Sequence, residues 1–144
     1  MMGAAFSVSQ ALDAYLVEHQ SQPFLWSRHN CCHFVAGWVR SATGRDPMAG
    51  LPVTWTPLAA QRLVRQLGGT LADAWTRRLG RAPIQPELAQ VGDVVHVWLR
   101  EQERGAVGIC TGRRAALLTE ATGIVLLPMS HATHAWRLHG EADA

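Results

Sequence analysis

The chain has 144 residues, 48% of them hydrophobic and 17% charged, with a formal net charge of +2. That is enough apolar material for one core of ordinary domain size, and it excludes a disordered, highly charged chain. All 13 Lys+Arg residues are arginines, and they form no basic stripe interleaved with aromatics, so no nucleic-acid partner is expected.

The opening MMGAAFSVSQ lacks the basic start and apolar run of a secretion signal, and no later stretch reaches the length of a membrane span. Ser7 or Ser9 can cap a first helix whose inner face is Val8, Leu12, Tyr15, Leu16 and His19, with Pro23 marking its end. The linker that follows holds Phe24 and Trp26, large apolar groups for a loop. Asn30 is a good N-cap for a second helix from Cys31 to about Ala42, with an apolar stripe of Phe34, Val35, Trp38 and Val39. Gly44 suits the left-handed position just past it. Thr56-Pro57, a capping residue followed by proline, announces a third helix through Leu63, Val64 and Leu67 that stops at Gly68-Gly69. Thr70 caps a short fourth helix carrying Leu71, Trp75 and Leu79 and stopped by Gly80, after which RAPIQPELAQ reads as an irregular connection.

From Gly92 the character changes. DVVHVWL, AVGICTG, AALLT and GIVLLPM are short runs rich in Val, Ile and Leu, separated by turn residues, and they read as antiparallel strands of a small curled sheet. HAWRL adds a final edge strand, and EADA is a frayed tail. The expected fold class is therefore α+β, one domain over 1–144, with a helical half at about 7–80 and a sheet half at about 92–138.

Asn30-Cys31-Cys32-His33 is the segment best placed for chemistry. A cysteine in the first turn of a helix meets free backbone N–H groups and the positive end of the helix dipole, and both favour the nucleophilic thiolate. Spacing alone favours a buried core cysteine, since Cys31 also continues the stripe of Phe34, Val35 and Trp38. Three cysteines do not make a disulfide framework, which points to folding in a reducing compartment. Adjacent cysteines do not match the C-x-x-C spacing of zinc sites, and Cys110 reads as strand core, so neither a metal nor a cofactor is expected. Among the six tryptophans, Trp38 and Trp75 fall on helical core stripes. Trp26 and Trp55 fall in loops and are the candidates for covering a cleft at Cys31 or for contacting a partner.

These pieces resemble a known family. NlpC-like, papain-type cysteine peptidases of the cell wall begin their nucleophile helix with D-C-S-G-F or a variant, then carry P-G-D-L-V-F and H-V-G-I-Y-L-G strands and a strand ending in a polar orienting residue. The counterparts here are NCCHFVAGWVR, QVGDVVHVW, GAVGICTG and RAALLTEATGIVLLPM, in the same order, covering about Pro23 to Arg137. PFLWSRHNCCHF and GRDP resemble more closely still a phage-encoded, tail-associated branch with a W-x-x-x-[DN]-C-C pattern. The resemblance implies a papain-like fold with Cys31 at the nucleophile position and Asn30 in place of the usual aspartate. It also puts Ala106 where the catalytic histidine would stand, and Leu118 or Thr119 at the orienting position.

A cysteine with no base keeps its helix-end activation but lacks the proton donor that amide cleavage needs. Among the other histidines, His96 lies on the strand before Ala106 and could reach the same sheet face. His33 points away, His29 is on a loop too flexible to be a candidate, and His131, His134 and His139 lie near the C-terminal end. Two functions stay open at this point. The resemblance favours a structural phage-tail protein, at the tail tip or in tail assembly, that joins other tail proteins in the virion after synthesis in the host cytoplasm. The alternative is an active peptidase or amidase on peptidoglycan stem peptides, with Cys31 as nucleophile and His96 as a non-standard base.

Overall fold

The structure, a computed structural model, describes residues 7–138. His139 and the EADA tail lie outside them. Four helices precede five strands: α1 (Val8–His19), α2 (Cys31–Thr43), α3 (Pro57–Leu67), α4 (Leu71–Leu79), β1 (Val94–Leu99), β2 (Arg104–Cys110), β3 (Arg114–Thr119), β4 (Gly123–Pro128) and β5 (Ala132–Trp136). The architecture is α+β, and the strands form one antiparallel sheet in the order β4-β3-β2-β1-β5.

Local chemistry accounts for the helix ends. Ser7 caps α1 in a reciprocal box with Gln10. Asn30 Oδ1 accepts from His33 N at 3.0 Å, while the Asn30 amide donates to His33 Nδ1 at 3.3 Å, which makes histidine the returning partner of an otherwise ordinary capping box. Thr56 and Thr70 cap α3 and α4. Several boundaries differ from the sequence reading, and β2 begins two residues before AVGICTG and ends at Cys110. α1 stops at His19, a full turn before Pro23, where His19 Nδ1 donates back to the Tyr15 carbonyl at 2.9 Å. The last strand is Ala132–Trp136 rather than HAWRL, because Ala135 pairs outward with Ile84 and the chain leaves the ladder after Trp136. RAPIQPELAQ is also less irregular than expected, with a 3-10 turn at Pro86–Leu88.

The sheet is covered on both faces. On the helix side Phe34, Val35, Trp38 and Val39 of α2 and Trp75 of α4 pack on Val94, Val107, Ile109, Leu118 and Trp136. Trp38 Nε1 donates to the Gly92 carbonyl at 2.8 Å and fixes α2 over the start of β1. The far face is a second cluster of Val95, Val97, Ala106, Cys110, Ala115, Leu117 and Ala135, closed by Ile84, Leu99 and Met129 among others. With both faces buried, β1 reads Val-Val-His-Val without apolar/polar alternation.

α3 is the exception among the helices. None of its residues is buried, and its main packing partner is α4. It lies over a small apolar cavity of about 60 Å³ lined by Met48, Leu51, Leu63, Leu67 and Trp75, among others.

Candidate functional site

Cys31 is the first residue of α2, partly buried, and aimed at β2. The ladder between β2 and β3 is limited to two pairs, Ile109↔Ala116 and Cys110↔Ala115. Beyond it no further β2–β3 pairs form, and the Val107 amide is left close enough to the Cys31 sulfur to favour its charged form. The Cys31 thiol is lowered to about 7. The largest cause is a hydrogen bond from the Cys32 thiol; burial opposes it, and the Val107 amide, the Arg104 charge and the Cys32 amide add to it. Cys32 moves the opposite way, pushed up by donating to Cys31 and by burial.

The sulfur opens on a groove of about 260 Å³. Phe24, Trp26, Val64 and Leu71 supply apolar lining; Gln61, Arg65 and Arg104 supply exposed polar lining. Trp26 is held over the site by an edge-on contact with Phe24, at 5.0 Å between ring centroids, and by its Nε1 donating to Glu120 at 3.3 Å. Asn30 ties that loop to the helix, since its Nδ2 donates to the Trp26 carbonyl at 3.1 Å. The groove and the small cavity under α3 share Asn30, Cys32, Ala60, Val64 and Leu71 as a common wall.

No imidazole lines this groove among the described residues. His96 does point to the same face of the sheet, next to Val107 across the ladder. Its Nδ1, however, lies 2.7 Å from Thr133 Oγ1, which is also 2.8 Å from His134 Nδ1. The other side of the ring lies over Gly105 so closely that a Cβ there would overlap it. Burial lowers His96 to about 4, and the facing His134 adds to this. His96 is not itself a lining residue of the groove, although Gly105 beneath its ring is. His33 is folded back on the Asn30 amide. His29 corrects the expectation of a flexible loop: it is buried, paired with Leu25 across a tight turn, with Nδ1 3.0 Å from the Pro23 carbonyl.

The Ala106 methyl belongs to the cluster on the far face, as its pairing with Val97 requires. Ala106 also lines the groove together with Cys31, where its methyl can neither accept nor donate a proton. Leu118 is core, and Thr119 Oγ1 closes the β3–β4 turn by donating to the Gly123 carbonyl at 2.8 Å, so neither could orient an imidazole. Trp55 stands apart from the groove, 72% exposed and flanked by exposed Val53 and Leu58. Sequence reasoning missed Arg104, the Val107 amide and the donor role of Cys32. Only the Cys-Cys pair carried a signal for any of them.

The family described as a domain of unknown function (DUF6950) matches residues 6–138. The chain belongs to that family. No curated protein matches it. Among the described residues no helix is long and apolar enough to cross a membrane, and no group of three or more His, Cys, Asp or Glu could hold a metal ion.

The chemistry open to the site follows from its parts. A thiol lowered to about 7 is substantially thiolate at neutral pH and can attack an electrophile unaided. Among the described residues, no imidazole lines the groove to protonate a departing amine.

Proposed function

We propose that this domain is a phage-tail structural protein, at the tail tip or in tail assembly, built on an NlpC-like, papain-type fold whose hydrolytic apparatus is incomplete. The observation that carries the reading is the groove at Cys31: a polarised thiolate at a helix N-terminus, with two arginines and no imidazole around it. The motif order quoted above and the α+β architecture with helices first support the peptidase-like fold. The exposed run Val53, Trp55 and Leu58 suits a contact with another tail protein, because large apolar groups cluster there outside the core. In this reading the virion is the working location.

Purified protein is expected to release no product from peptidoglycan stem peptides, with Cys31→Ser indistinguishable from the parent. Cleavage that Cys31→Ser abolishes would favour the enzymatic alternative, in which His96 leaves Thr133 to serve as base. In an assembled particle, Trp55 or Trp26 should lose accessible surface to a neighbouring chain. If both keep it, the contact lies elsewhere.

A further inference from the structure

The groove holds a nucleophile and, among the described residues, no imidazole to protonate a poor leaving group; the Cys32 thiol, pushed up by donating to Cys31 and by burial, is a weak acid. That selects its electrophiles. An amide or ester expels a strongly basic group and needs an acid, whereas a thioester expels a thiolate, which leaves without one. The lining selects further. Phe24, Trp26, Val64 and Leu71 give an apolar bed leading away from the sulfur, and across a shared wall lies the apolar cavity beneath α3. α3 itself has no buried residue to hold that wall rigid. Arg65 and Arg104 are exposed lining residues of the same groove, suited to an anionic group outside the apolar bed.

We propose that Cys31 is an S-acyl acceptor: it takes the acyl group of an anionic carrier thioester, with the acyl chain on the apolar bed of the groove and the carrier's anionic groups on Arg65 and Arg104. The Cys31 thiol first loses its proton to solvent. Its sulfur then bonds to the acyl carbon, the bond from that carbon to the carrier sulfur breaks, and the electron pair leaves on the carrier thiolate, which is protonated by water. Nothing is oxidised or reduced. Cys32 keeps its proton throughout and acts as a positioning residue for the Cys31 sulfur.

The proposal shares with the function above the Cys31 groove, with its two arginines and no imidazole, but not the role in a phage tail. Hydrolysis of cell-wall peptides would sink that function, whereas failure of acyl transfer sinks this inference alone. The test incubates full-length protein with octanoyl-coenzyme A and follows intact mass, with peptide mapping of the wild-type adduct so that no variant need fold. The expected result is one octanoyl group on Cys31, removed by neutral hydroxylamine, forming faster than on glutathione at pH 7, because the larger thiolate fraction outweighs the lower nucleophilicity of a less basic thiolate. Arg65→Ala with Arg104→Ala should slow transfer from octanoyl-coenzyme A more than from the uncharged octanoyl-N-acetylcysteamine. Val64→Trp, which fills the groove, should slow both. An adduct on Cys32 or Cys110 instead, or a rate no faster than that of glutathione, overturns the proposal.

Discussion

Cys31 and His96 face the same side of the same sheet on opposite flanks of β2, yet their surroundings drive them to opposite ends. Around Cys31 a thiol donor, a backbone amide and a guanidinium gather, and all of them favour the charged form. Around His96 there is burial, a second imidazole and a hydroxyl, and the net result favours the neutral form. Both groups are reactive by type, but only one is electrostatically prepared. The difference teaches that a shared sheet face is not a shared electrostatic environment. The flank of the strand decides, because on one flank the Val107 amide of β2 lies beyond the ladder with β3 and on the other β2 is fully paired to β1.

The largest effect that would break this contrast concerns His96 and acid. Its folded value of about 4 lies below the ordinary 6.5, so in the folded protein the ring stays neutral while the unfolded chain takes up a proton as pH falls below 6.5. Stability from this group is therefore present at neutral pH and is lost as pH drops toward 4. The loss should amount to roughly 2–3 kcal/mol by urea titration. His96→Gln should flatten that dependence. An unchanged slope would mean the imidazole is not held neutral by the fold.

A smaller effect tests the packing under the same ring. Gly105→Ala puts a Cβ into the His96 imidazole and should cost about 1–3 kcal/mol, as overpacking of a filled interior does. Most of that cost should vanish when His96 is also replaced by alanine. If the two substitutions add independently, the ring does not rest on Gly105 in solution.

The smallest effect sharpens the Cys31 side. Alkylation by iodoacetamide should titrate with a midpoint near 7, and Arg104→Ala should move it only slightly upward, because an exposed guanidinium is screened by water. Buried Cys110 should stay unreactive until the protein unfolds. A midpoint at the ordinary thiol value of about 8.5 would remove the case for a prepared nucleophile.

The sequence by itself determined the helices, their caps and the switch to strands. Asn30, Thr56-Pro57, Thr70, Gly44 and Gly80 act on backbone groups within a turn of themselves, so their signal is local and readable in order. It also singled out Cys31, because a thiol at the first position of a helix meets free backbone N–H groups. Only the tertiary structure decided what meets that thiol. Ala106 and Val107 are neighbours in sequence, but the pleat sends the first side chain into the far layer, while β2 turns the amide of the second to Cys31. Register fixes that parity, and a shift of one residue would exchange the two faces. Arg104 near Cys31, Thr133 on His96 and the short ladder of β2 with β3 are likewise set by contacts between different segments of the chain. No spacing within any one segment encodes them, because a strand's own pattern fixes which residues alternate and not which neighbour stands beside them.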